Sequence, residues 1–442
     1  MQLRGRRFEP ATEPPRLTLG KTVVYAAAIL LFLGIWKLLD SGAVRSPFAP
    51  TPTPTRRAES FVEEGKSFFD AGILDKATTA YQDAVAVDPS NPQLWAELAR
   101  IQTYSSELML HPDKKRERLQ EARDSSKRAL DLDDAYPLGW AIRTLVLDWS
   151  ATVAEDTNGM EDLLNEALQA SAKALLLEPD NPFALAFRAE VLVDQQNWSS
   201  ALDVGARAAQ LGPEIMDVHR AFAYVLESNG YYTRAIEEYL EAIRLNPNLP
   251  FLYLRLGAQY RAIGEKTTDP NLRDGMISDA LEAFAHAALL NPYDPLPYLT
   301  IAQTYSNQGE FFIAEENARK ALQLDNTNAY IYGRLGIIYY KAKNYETAIK
   351  VLRCSVSGCL AADNEEAGVD VTGEALSARN VDIYYTYGSV LSFYGDEDDN
   401  CGEAARIFAM LRESPYHDET VESIIREGEV ICAAIARRTP TP

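Results

Sequence analysis

This 442-residue sequence predicts an all-α fold, a solenoid of stacked helical hairpins. Three observations carry the prediction. The chain resembles itself at a spacing of 34 residues. Small residues recur at fixed places within each copy, and a proline closes many of the copies.

The first 57 residues stand apart. They hold nine Lys/Arg against Glu9, Glu13 and Asp40, whereas the whole chain carries −21. Residues 1–21 read as a basic, cytoplasmic N-terminal segment. Residues 22–39, TVVYAAAILLFLGIWKLL, carry only Lys37 as a charge. That run is long enough to predict a transmembrane helix, with Tyr25 and Trp36 near its two ends. The excess of Arg and Lys before it predicts a single-pass membrane protein with a cytoplasmic N-terminus and the body outside. Residues 40–57 include SPFAPTPTPTRR, a Pro/Thr-rich linker that favours extended polyproline II.

The repeats occupy residues 58–418. In a frame of 34 from Ala58, Gly65 falls at position 8, Ala77 at 20, Ala84 at 27 and Pro89 at 32. The frame at Pro182 gives Ala189, Ala201, Ala208 and Pro213, and the adjoining frame at Met216 gives Ala223, Ala235, Ala242 and Pro247. Units at Pro295 and Ala329 also fit without gaps. Units at Pro92, Pro137 and Pro250 each need 11 extra residues, close to three helical turns, before Ala122, Ala167 and Ala280. A ninth and weakest unit begins near Val381. Small residues let two antiparallel helices approach closely, and the proline ends the second helix. Residues 419–442 hold Val421, Ile424, Ile425, Ile431 and Ile435 at helical spacing. They predict a capping helix and tail that cover the last hairpin. Residues 363–380, acidic and aperiodic, are expected to be a disordered interruption.

These positions resemble the tetratricopeptide repeat (TPR) family. The resemblance implies a right-handed superhelical solenoid of about nine TPR helix-turn-helix units with a C-terminal capping helix, here preceded by one N-terminal transmembrane helix. It also implies that the first helix of each unit lines a concave groove. At the family's ligand-facing positions this sequence has Arg220, Tyr224, Phe251, Arg255, Arg261, Tyr330, Arg334, Tyr340 and Lys341. Guanidinium groups there either pair with carboxylates of a bound peptide or neutralise neighbours such as Glu227. The family's carboxylate clamp wants Lys at position 5 and Asn at 9, where the first unit has Val62 and Lys66. A chaperone-binding role is therefore not expected.

Chemistry is hard to find. The four histidines form no metal-binding motif, no residues read as catalytic, and no cofactor signature is present. Cys354 and Cys359 lie too far apart to bridge on a continuous helix, but Gly358 can end the helix between them. Cys401 opens the last repeat's second helix and Cys432 lies on the capping helix. Two disulfides, Cys354–Cys359 and Cys401–Cys432, are expected to staple the C-terminal units. The sequence therefore predicts a non-catalytic, membrane-anchored TPR scaffold, not an enzyme. Its partners would be proteins or peptides held in the groove, and not nucleic acid, which an acidic body repels. The alternatives are an accessory protein of cell-envelope glycan processing or secretion, or a cytosol-facing import receptor.

Overall fold

The structure is a computed structural model that describes residues 19–40, 56–154, 156–394 and 399–437. Most of the basic segment 1–21 and of the linker 40–57 lies outside the described residues. The chain forms two compact units, residues 1–56 and 57–442.

The first unit holds one helix, α1 (Leu19–Asp40). Its contiguous described side chains run from Gly20 to Gly34 and are exposed. Among the described residues, no helix is long and apolar enough to cross a membrane. The expected transmembrane helix at 22–39, and the single-pass localisation built on it, are corrected accordingly.

The second unit is a helical solenoid. Its hairpins are α2 (Ala58–Asp70) with α3 (Leu74–Val87), α4 (Pro92–Ser106) with α5 (Pro112–Leu132), and α6 (Pro137–Ala151) with α7 (Thr157–Leu177). Next come α8 (Pro182–Asp194) with α9 (Trp198–Leu211), α10 (Met216–Ser228) with α11 (Tyr232–Leu245), and α12 (Pro250–Lys266) with α13 (Pro270–Leu290). The last are α14 (Pro295–Asn307) with α15 (Phe311–Leu324), α16 (Ala329–Lys341) with α17 (Tyr345–Val356), and α18 (Val381–Phe393) with α19 (Asn400–Glu413). The capping helix α20 (Glu419–Ala436) follows. Each of the nine hairpins starts at the residue where its repeat frame starts.

Local chemistry explains these starts. The Asn91, Asn181, Asp269, Asp294 and Asn328 side chains accept the first free backbone N–H groups of their helices. Proline takes the first helical position in most of those helices, where its missing N–H costs nothing. Within a hairpin, position 8 is small because a ring sits on it. A Cβ on Gly65 would lie 2.5 Å from the Tyr81 ring, and one on Gly257 would lie 2.5 Å from Phe284. In the long hairpins most of the insertion enters the second helix. α5, α7 and α13 have 21 residues where α3, α9, α11 and α15 have 14. Seven residues make about two turns, so the buried face keeps its direction.

The excursion between α17 and α18 is ordered, contrary to expectation. Cys354 and Cys359 are joined, with Cα atoms 4.7 Å apart. Gly358 turns the chain at φ 82°. The backbone of Cys359 then pairs with that of Val371. The Asn364 side chain is buried and donates to the Tyr332 hydroxyl and the Val369 carbonyl, both at 2.8 Å. A covalent loop and a satisfied buried amide replace the helical periodicity that this segment lacks. At the other end of the last repeat, Cys401 is joined to Cys432 across α19 and α20.

Candidate functional site

Helices α4, α10 and α12 face one another inside the solenoid, although they belong to the second, fifth and sixth hairpins. Tyr104 on α4 donates its hydroxyl to Asp217 on α10. Its ring stacks on Phe251 of α12 at a centroid distance of 5.4 Å. At the rim, Asn248 donates to the Asp70 carbonyl at 2.7 Å, so the first hairpin meets the junction of the fifth and sixth. The α4–α5 turn reaches further along the chain. Arg379 donates to the Leu110 carbonyl at 2.8 Å, and His111 lies 2.9 Å from Asp325. The solenoid therefore closes on itself, and side chains of its own meet across the interior of its first turn.

That closure divides the nine expected groove residues. Arg220, Tyr224, Phe251 and Arg255 belong to the internal network. Arg220 is buried and gives both Nη groups to Glu190, each at 2.6 Å. Its guanidinium lies 5.4 Å from the Tyr104 ring and 5.3 Å from the Trp149 ring. Tyr224 donates to Asp194 at 2.5 Å. Arg255 reaches Glu107 at 3.4 Å and Glu227 at 3.3 Å. Arg334 is likewise committed, donating both Nη groups to Asp382 at 2.7 and 2.6 Å. For these arginines the neutralising reading describes what the structure shows.

Arg261, Tyr330, Tyr340 and Lys341 lie on the stretch formed by α12, α14, α16 and α18. Arg261 makes only long hydrogen bonds, 3.4–3.5 Å, to the Thr300 carbonyl, Gln303 and Thr304 of α14. Lys341 is exposed and donates to Asn307 at 2.9 Å, and Asn307 in turn donates to Glu265 at 2.7 Å. Gln303 and Asn307 are four residues apart on one helix, so they present one face. Among the described residues neither Arg261 nor Lys341 has a carboxylate within salt-bridge distance. Tyr340 is half-buried, Tyr330 lies under Arg334 and Arg379, and Phe393 on α18 is exposed and stacks on Tyr345.

Sequence reasoning missed the acids of the internal network. A cavity of about 170 Å³ is lined by Glu107, Asp148, Glu190 and Asp194, by Lys115, Arg220 and Arg255, and by Trp149 and Phe251. Burial pushes the Glu107 carboxyl up, but Lys115 and Arg255 outweigh it and hold the group down at about 2. Burial pushes Asp194 up to about 6 despite its bond from Tyr224. Asp148 is raised well above the carboxylate range by burial and then by the charges of Asp194 and Glu190. A signal existed in the sequence. Asp148 is the only charge after Arg143 in an otherwise apolar helix, and Glu190–Arg220 and Asp194–Tyr224 share a separation of 30 residues.

A raised carboxyl pKa in the fold means that Asp148 adds nothing to stability below its unfolded value, about 3.9, and costs stability above it. The cost grows by about 1.4 kcal/mol per pH unit until the folded pKa is reached. Asp148→Asn is therefore expected to slow hydrogen exchange in α6 and α8 at pH 7. It should have almost no effect at pH 4. An equal effect at both pH values would exclude a buried titration.

The family profile described as "Tetratricopeptide repeat" matches residues 188–250, which span α8 to the start of α12. The human IFIT1 dimer with PPP-AAAA is similar in fold, at TM-score 0.54 and 17% identity, over 86% of this chain and 84% of that one. The human IFIT1 dimer with m7Gppp-AAAA matches at TM-score 0.54 and 17% identity, over 86% of this chain and 81% of that one. A thermophilic TPR protein of Thermus thermophilus aligns with 46% of this chain and 98% of its own, at 20% identity and TM-score 0.38. Comparison with curated protein sequences finds no match.

Proposed function

We propose that this chain, a tetratricopeptide-repeat protein, is a non-catalytic scaffold that holds a partner protein segment along α12, α14, α16 and α18. The observation that carries the reading is the pair Arg261 and Lys341. In a chain of net charge −21, whose Arg220, Arg255, Arg319, Arg334 and Arg353 all sit on carboxylates, these two do not. A guanidinium with only long bonds to uncharged acceptors gains most from a carboxylate brought by a partner. Tyr340, next to Lys341 in the chain, offers aromatic surface, the residue type that dominates binding energy at interfaces. Tetratricopeptide repeats are generally non-catalytic, and the occupant proposed is an acidic, extended peptide.

Peptide arrays read by fluorescence anisotropy test this. Acidic peptides should bind the chain more tightly than neutral or basic ones. The double variant Arg261→Glu/Lys341→Glu should weaken that binding by about tenfold or more, equivalent to at least 1.4 kcal/mol. Equal affinity in the variant, or a preference for basic peptides, would discard the site. The oligonucleotide PPP-AAAA belongs in the same assay, because solved structures of like fold carry it. The chain's acidity predicts that it binds weakly and only at low salt.

A further inference from the structure

The cavity of the first solenoid turn is lined by more carboxyl groups than cations. Its four lining carboxylates meet three cations. Glu107 takes Lys115 at 2.7 Å and Arg255 at 3.4 Å. Glu190 takes both arms of Arg220. Asp194 receives only the Tyr224 hydroxyl. Asp148 is 2% exposed, and its Oδ1 has no hydrogen-bond partner. Two carboxyls thus border the cavity with no cation of their own. The walls between them are the faces of Trp149, Tyr224, Tyr239 and Phe251.

We propose that this cavity binds a primary alkylammonium group, its three N–H donors directed at Asp148 and Asp194 and its alkyl arm against Trp149 and Phe251. An ammonium supplies a counter-charge for Asp148 once its proton has left, and the donor that Asp148 Oδ1 lacks. Aromatic faces attract cations. The volume of about 170 Å³ admits a short aliphatic amine. A divalent metal is a poorer occupant. Calcium takes six to eight oxygen ligands, and no group of three or more His, Cys, Asp or Glu among the described residues is arranged to hold an ion. The site lies apart from the α12–α18 face proposed for a partner peptide, so neither proposal depends on the other.

Binding is coupled to protons. Burial keeps Asp148 protonated above the usual carboxylate range. The groups around it are Glu107 on α4, Lys115 on α5, Glu190 and Asp194 on α8, Arg220 and Tyr224 on α10 and Arg255 on α12. An entering ammonium displaces the carboxyl proton, which leaves to solvent. Affinity should therefore rise with pH between 5 and 8.

The test is calorimetry on the full chain with 1,4-diaminobutane, with a short peptide containing one lysine, and with neutral 1-butanol. Saturable binding of an amine is expected, with proton release seen as a dependence of the heat on buffer ionisation enthalpy. Butanol should not bind. Asp148→Asn keeps the side chain's shape and should weaken amine binding by at least tenfold while abolishing proton release. Asp194→Asn serves as the second variant should the first fail to fold. Tighter binding of the free diamine assigns a small-molecule ligand, and tighter binding of the peptide assigns a partner's lysine; both outcomes support the site. No saturation by either amine, or binding unchanged in both variants, overturns it.

Discussion

Glu190→Gln is expected to destabilise the first turn of the solenoid by about 3–5 kcal/mol, because it leaves a buried guanidinium without its counter-charge. Arg220 and Glu190 have side chains only 6% and 2% exposed. Both Nη groups are used at 2.6 Å, while the Arg220 Nε has no partner. Burying the pair costs several kcal/mol per ion, and only the two-bond geometry offsets that cost. A neutral amide offers one acceptor where there were two, and its NH₂ points a donor at a donor. The same reasoning predicts that removing both charges costs much less. Glu190→Leu with Arg220→Met keeps the volume and strands no ion, so the double variant should lie within about 1–2 kcal/mol of the parent. A double-mutant cycle by urea titration measures the difference. If both single variants and the double variant lose the same stability, the pair is not the structural pin of this interior.

The helices and their order were legible in the sequence for a simple reason. The hairpins are fixed by residues close in sequence: in several a capping Asn or Asp or a proline at the first helical position, and a small residue under a ring. Even the long hairpins kept their register, because whole turns were inserted. What the sequence hid is closure. Tyr104 and Asp217 are 113 residues apart, and Leu110 and Arg379 are 269 apart. Such pairs depend on how a small rotation per hairpin accumulates, and no local pattern records that.

Closure also limits where along the solenoid a groove could lie. Ligand-facing positions are ligand-facing only where the interior stays open. At Arg220 and Arg255 the chain's own carboxylates occupy the place a peptide would take. At Arg261 and Lys341, on α12 and α16, no carboxylate among the described residues lies within salt-bridge distance, and Glu265 acts on both only from further off. The excursion from residue 357 to 380 failed for a different reason. Its order rests on Asn364, Asn380 and a disulfide, single contacts that no periodicity reveals.

Removing the Cys401–Cys432 bond should cost the last repeat and its cap about 3–4 kcal/mol. The bond closes 31 residues, and loop-closure entropy for that length gives this magnitude. Little else holds α20 in place. It buries Val421, Ile425 and Gly428, the last against the Phe408 ring. Its polar links, Arg412 to Glu422 and Glu429, lie at the solvent-screened surface and contribute little. Cys354–Cys359 closes only five residues, so its loss should cost nearer 2 kcal/mol and stay within the excursion. In a solenoid each hairpin contacts mainly its neighbours, so stability lost at the end is lost locally first. Cys401→Ser/Cys432→Ser should therefore speed hydrogen exchange in α18, α19 and α20 by about a hundredfold or more. Exchange in α4 to α12, closed by Tyr104 and Asn248, should stay as it was. The ring of Phe408 and the side chains of Ile407 and Leu411 would then be uncovered whenever the cap opens, and binding of an apolar dye should rise in step with exchange. Uniform acceleration along the whole solenoid would show that the cap governs a single cooperative unit and not one end of a chain of neighbours.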